Sequence, residues 1–552
     1  MIHQRKMYLL WLAAIVTLSL ILAPMQGWAA QPPVKNVIIL MMDGTASSHV
    51  TLSRWYKGSP LALDSILVGG VRTYSADSLI TDSAPAATAF ATGYKTNSKF
   101  LGIMPEITST PGVTAITEDL KFKPVASVME GAKLQGKSIG LIATSNIQHA
   151  SPAGYSAHTP FRDAYTLIAT QQVYENIDVV FSGGKKYLLP TDQGGVRLDG
   201  ENLIQVLKDR GYAFVETQNE MLKITNSKVW GLFAADAMQY EFDRKELTPN
   251  EPSLAEMTKK AIELLSKNEK GFFLFVEGSK IDWAAHANDP VGVISDVLAF
   301  DDAVKTALDF ASRDGQTLIM AFADHGTGGM SIGAKSVAKT YDRTPFAAVI
   351  PPLKQAQVTG EGLDQIIGDD RTEWNIRQKI AQFYGIEELT ADEVKLIQKA
   401  PRGRAFANVV GPMLSQRAAI GWVYTGHTGD DLFLYAFGPN RPTGLIENTK
   451  IAQICAQSMG FDLNKVSDEL FVDLSKYSTS VGATLRIDNA DPNIITIYID
   501  KGLKSAQLPA GKNLLLLGNN TYSLPGIVVY ISKTGKAYAP RKAIDLIASY
   551  VQ

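Results

Sequence analysis

Six short apolar runs punctuate the chain: "NVIILMM" (36 to 42), "SIGLIAT" (138 to 144), "DVVFSGG" (178 to 184), "GFFLFVE" (271 to 277), "TLIMAFA" (317 to 323) and "DLFLYAF" (431 to 437). Apolar at nearly every position, they read as strands buried on both faces. Between them, 121 to 135, 254 to 267 and 290 to 312 carry the spacing of amphipathic helices. Strand and helix in alternation predict an α/β fold, a mostly parallel central sheet with helices on both faces.

The alternation lapses from about 330 to 425, where "RTEW", "LTADEV" and "APRGRAF" stand before "GWVYTGH". We read this segment as an insertion in a catalytic domain spanning 30 to 465, covering the site and contacting a partner subunit. From 466 to 552 short alternating runs are broken by Asn-Asn, Pro-Gly and Thr-Gly turns. They predict a small β-rich accessory module closed by a helix. At the other end, Arg5 and Lys6 precede an apolar run from Met7 to Pro24 and the small-residue site Gly27-Trp28-Ala29-Ala30. That is the layout of a signal peptide over 1 to 29, and it predicts an exported protein, periplasmic, surface-bound or secreted. An uncleaved anchor is the rival reading of the same run.

Composition narrows the classes. With 45% hydrophobic and 20% charged residues the chain is globular, and a formal charge of −2 without long blocks of one sign excludes a nucleic-acid scaffold. The single cysteine, Cys455, allows no intramolecular disulfide. It reads as a buried thiol, and stability must come from packing and bound metal.

The chemistry sits where strands end. "NVIILMM" runs into Asp43, "GFFLFV" into Glu277 and Asp282, and "TLIMAFA" into Asp324 and His325. In open α/β sheets the ligand site lies beyond the carboxyl ends of the strands. Asp282 and His286 are four apart and share one face of a helical turn. Three of the seven histidines, His286, His325 and His427, stand near aspartates. A mixed imidazole and carboxylate set suits zinc with an open position, and two ions about 4 Å apart can clamp a phosphoryl displacement. In "TDSAPAATAFATG", Ser83 opens a helix whose N-terminus attracts phosphate. Metal coordination would make its hydroxyl a nucleophile, whereas on local grounds alone Asp82 or Ser83 is only a cap. Arg162 in "SAHTPFRDAY" can grip two phosphate oxygens, or merely pair with Asp163.

Taken together, "MMDGTA", "TDSAPAATAFATGYKT", "QHASPAGYSAHTPFRDAY", "FVEGSKIDWAAHAND", "ADHGTGG" and "GHTGDD" resemble the alkaline phosphatase family in order and spacing, over roughly 35 to 465. The resemblance implies an alkaline phosphatase-like fold and hydrolysis of small phosphate monoesters through a phosphoserine at Ser83, with Arg162 as clamp. It implies one zinc on Asp282, His286 and His427, a second on Asp43, Asp324 and His325, and a magnesium on Asp43, Ser151 and Glu277. It also implies a homodimer. Two departures stand out: His149 where some bacterial members have aspartate, which puts the third metal in doubt, and Trp283 where some carry a lysine near the phosphate. Beyond 466 the resemblance ends, and "PRKAIDLI" is similar to small repeats of bacterial envelope enzymes, which implies envelope contact. Two alternatives remain: a phosphodiesterase of the same superfamily, and an envelope-binding protein with a purely structural metal site.

Overall fold

The computed structural model describes residues 33–551, so the segment read as a signal peptide lies outside the described residues. Among those described, no helix is long and apolar enough to cross a membrane. Ten strands form one sheet in the order Gly444–Glu447, Leu67–Arg72, Leu432–Phe437, Thr317–Phe322, Asn36–Met42, Phe272–Gly278, Ser138–Asn146, Val179–Gly183, Val229–Leu232 and Ala213–Val215. All neighbours pair in parallel except Leu432–Phe437, which is antiparallel to both strands beside it.

The central strand Asn36–Met42 is buried at every position, which is why its sequence is apolar throughout. Its side chains alternate faces. Val37, Ile39 and Met41 join the core that contains Phe90, Met129 and Cys455, while Ile38, Leu40 and Met42 join the core with Leu264, Val297 and Phe300. Cys455 is therefore the buried thiol expected.

Register then places the acids. Met41 pairs with Glu277 on one side and Phe322 on the other, so Asp43, Glu277 and Asp324 leave three adjacent strands at the same rim.

The helix expected over 121 to 135 is shorter, spanning Val128–Leu134. Pro124 disfavours helix in the residue before it, and Ser127 then starts the helix through a capping box with Glu130. The segment after Met330 is helical: Ile350–Lys354, Gly360–Ile367, Glu373–Tyr384, Ala391–Lys399 and Arg404–Arg417 share a core of their own with Leu52, Val291 and Ile294. Ser331–Ile332 pairs antiparallel with Ile420–Gly421, which ties the excursion shut at its base. A second ribbon pairs Gly326–Thr327 with His427–Thr428 and carries His427 back to the rim.

The C-terminal part is strand-rich, as expected. Thr484–Asp491, Ile494–Lys501, Lys504–Pro509, Leu514–Leu517 and Asn520–Ser523 form an antiparallel meander, followed by the helix Arg541–Val551. It has a separate core, and Lys512 reaches Glu201 at 2.8 Å.

One buried pair braces the helices below the site. His158 Nε2 lies 3.0 Å from Glu130 and Nδ1 lies 2.7 Å from the Gly102 carbonyl. Both ring nitrogens face acceptors, so the ring is held doubly protonated. Burial opposes both charges, yet the attraction between them raises His158 and lowers Glu130. Removing one partner strands the other, so His158→Leu should cost about 3–5 kcal/mol of unfolding free energy by denaturant titration. The raised His158 contributes stability below its unfolded pKa and loses it as pH rises through the folded value. The gap between wild type and variant should therefore narrow toward alkaline pH.

Candidate functional site

Ser83 begins the helix Ser83–Thr92, every residue of which is buried. The helix is alanine-rich because it packs closely on Ala150–Ser156: a Cβ on Gly154 would lie 2.7 Å from that of Ala87. That approach buries Ala84 against Ala150 and Ala153.

Asp82 occupies the N-cap position but makes no capping hydrogen bond. Its carboxylate instead accepts from Arg162 Nη1, a contact between residues 80 apart in sequence. Arg162 is thus neither a partner of Asp163 alone nor a loose surface charge. Its Nη2 lies 3.2 Å from His149 Nε2, so the guanidinium is held from two sides. Ser83 Oγ lies 3.1 Å from His325 Nε2.

Ligand residues expected from sequence lie near one another, in groupings that differ in part from those expected. His286 Nε2 lies 3.3 Å from Asp282 Oδ2 and 3.2 Å from His427 Nε2. His325 Nε2 lies 3.2 Å from Asp324 Oδ2 and 3.6 Å from Asp43 Oδ1. The His325 and His427 rings stack at 3.6 Å. Donor atoms within 4.8 Å of one another form three sets: Asp282, His325 and His427; Asp43, Asp324 and His325; and Asp43, His149 and Glu277.

These groups fit cations. Both Asp43 oxygens, Glu277 Oε1, Asp324 Oδ2, Ser151 Oγ and His149 Nδ1 are buried without a hydrogen-bond partner. Orphaned polar atoms in such numbers are costly, and a bound cation would satisfy them. Burial and then the neighbouring Asp324, Asp282 and Glu277 push Asp43 well above the carboxylate range. Burial likewise lifts Glu277 to about 7. His427 is depressed to about 4 by burial and by the charge of His325. Gly44, at φ 69°, sits so close under Asp282 that a Cβ would lie 2.5 Å from Oδ1.

Sequence reasoning missed several supports. Thr327 Oγ1 donates to Asp282 Oδ1 at 2.6 Å, and His427 Nδ1 lies 2.9 Å from the Thr81 carbonyl, fixing the ring as outer contacts do around metals. His149, seen only as a departure from a family pattern, joins Asp43 and Glu277 in one donor set, with Nε2 turned to Arg162 and Nδ1 left without a partner. His49 is fully buried and accepts from the Ala46 N–H at 3.1 Å. Its place after "MMDGTA" was the available signal.

The chain matches the family model described as alkaline phosphatase over residues 34–461. It is 36% identical over 459 residues to alkaline phosphatase 3 of Bacillus subtilis, covering 80% of this chain and 92% of that one. Among solved structures it is similar to Thermus thermophilus alkaline phosphatase, with TM-score 0.69, 25% identity and coverage of 78% and 93%. A His→Asp variant of TAB5 alkaline phosphatase with Mg bound in the M3 site aligns at TM-score 0.55 and 25% identity, with coverage of 78% and 99%.

If cations neutralise this cluster, chelation should lower the thermal midpoint of the protein. In Asp43→Asn, which belongs to two of the three donor sets, most of that chelator-sensitive shift should vanish in calorimetry run with and without EDTA.

Proposed function

The chain belongs to the alkaline phosphatase family, a family of metal-dependent phosphatases, and from that premise we propose that it is an exported phosphomonoesterase working through a phosphoserine at Ser83. The observation that carries this reading is the placement of Ser83 Oγ at a helix N-terminus, 3.1 Å from Nε2 of His325, a member of two of the three donor sets.

Asp282, His286 and His427 would hold one zinc and Asp43, Asp324 and His325 the other, while Asp43, Glu277 and Ser151 would hold magnesium. When bound, these dications would lower the pKa of the Ser83 hydroxyl and offset charge developing on the phosphoryl and leaving oxygens. Arg162 presents a planar fork to the phosphoryl group, and the Asp82 carboxylate keeps that fork in place. The backbone N–H groups opening the helix favour the same anion. Ser83 Oγ forms a bond to phosphorus as the ester oxygen leaves with a proton as alcohol. Water then cleaves the phosphoserine, releasing inorganic phosphate and restoring the hydroxyl.

The third site is where this chain departs. His149 joins Asp43 and Glu277, so the donor set is mixed rather than all oxygen, and a softer cation would compete there with magnesium. Residues 30–465 form the catalytic part in this reading, with an insertion near 330–425. Residues 466–552 are the accessory module that contacts the cell envelope, and the enzyme works as a homodimer.

Ser83→Ala should abolish release of phosphate from a chromogenic monoester, and a matched diester should react far more slowly in wild type. Mass spectrometry of acid-quenched enzyme should find phosphate on Ser83, and its absence would refute the covalent route. Arg162→Ala should lower kcat about 100- to 1,000-fold, as loss of a donor to developing charge does elsewhere. His149→Asp should shift activation toward magnesium in a metal add-back series. Trp283→Lys should tighten product inhibition by inorganic phosphate, and an unaltered inhibition constant would refute a role for that position in phosphate retention.

A further inference from the structure

Trp283 directly follows Asp282, and its ring lies 5.7 Å from that of His149, the residue that meets Arg162. Two cations flank the indole. Lys280 Nζ lies 4.4 Å from the ring but is buried, 3.9 Å from Glu361. Arg404 approaches at 4.9 Å from the helix Arg404–Arg417, the last helix of the excursion after Met330. Its side chain is exposed and makes no ion pair among the described residues. The contact with the ring fixes the guanidinium at a site where water still reaches it.

We propose that Arg404 is a specificity-determining residue: standing on Trp283 at the mouth of the site, it binds a second anionic group, phosphate or carboxylate, carried by the organic part of the substrate. The inference rests on the phosphomonoesterase reading of the site. An unpaired guanidinium offers a fork that fits either group. A positive charge at the rim of a cleft also steers anions toward it, with a strength that salt screens. The helical excursion then has a chemical role, since it delivers a group that reads the alcohol rather than the phosphate being removed.

The test uses matched pairs with the full chain: glycerol 3-phosphate against 3-phosphoglycerate, and fructose 6-phosphate against fructose 1,6-bisphosphate. The ratio of kcat/KM, doubly over singly anionic, should fall about two- to fivefold in Arg404→Gln, the size of an exposed charge contact. Most of that ratio should be retained in Arg404→Lys, and in wild type it should shrink at about 1 M salt. An unchanged ratio in Arg404→Gln overturns the proposal, as does an equal loss for both members of a pair, which would mean that Arg404 only props Trp283. In either case turnover of glycerol 3-phosphate that depends on Ser83 would leave the phosphatase reading standing. No turnover of any of the four compounds by metal-replete wild type would overturn both.

Discussion

Four carboxylates, Asp43, Glu277, Asp282 and Asp324, meet at one rim of the sheet, and the rest of the molecule is arranged around that crowding. The parallel pairing of Asn36–Met42 with Phe272–Gly278 and Thr317–Phe322 forces three of these acids to the same height. Burial keeps water from separating them, so each raises the cost of charge on the others. Asp43 suffers most, with both oxygens unpartnered. Histidines relieve Asp282 and Asp324, whose charged forms are favoured despite burial because His286, His427 and His325 face them. A buried cluster of this kind suits a seat for cations, in keeping with the metal dependence of the family.

The helix from Ser83 to Thr92 shows how packing serves that chemistry. Small residues let it lie against Ala150–Ser156, and the closeness of Gly154 to Ala87 leaves no room for a larger side chain. The result holds the Ser83 hydroxyl beside His325. Asp82, by local rules a cap, is diverted to brace Arg162, so the helix gives up a capping bond and its N-terminus stays open to an anion.

Away from the rim, two additions surround the doubly wound core. The helical excursion has its own apolar cluster and is closed at its base by paired strands, so it is a stable platform rather than a long loop. It carries Arg404 to the site, and the chain leaving it forms the ribbon that returns His427. The C-terminal meander has an apolar cluster of its own, while Leu514 and the following Ile527, Val529, Ile531 and Tyr538 pack into the main core and Lys512 pairs with Glu201.

What could be read from sequence was what short-range physics encodes. The six apolar runs became strands because burial on both faces demands continuous hydrophobicity, and the acids at their ends followed from chain direction alone. The candidate donor residues were legible because metal chemistry restricts residue type and the ordered motifs supplied their company, but of their groupings only Asp43, Asp324 and His325 coincides with a set expected from sequence. The helical character of 350 to 417 was harder to see because its apolar positions serve a local core with Leu52, Val291 and Ile294 and follow no alternation with strands. The pairing of Asp82 with Arg162, the grouping of His149 with Asp43 and Glu277, and the seat of Arg404 on Trp283 were decided only by tertiary structure. Each joins residues far apart in sequence, and no periodicity or spacing specifies which distant side chain will fill the space beside a given one.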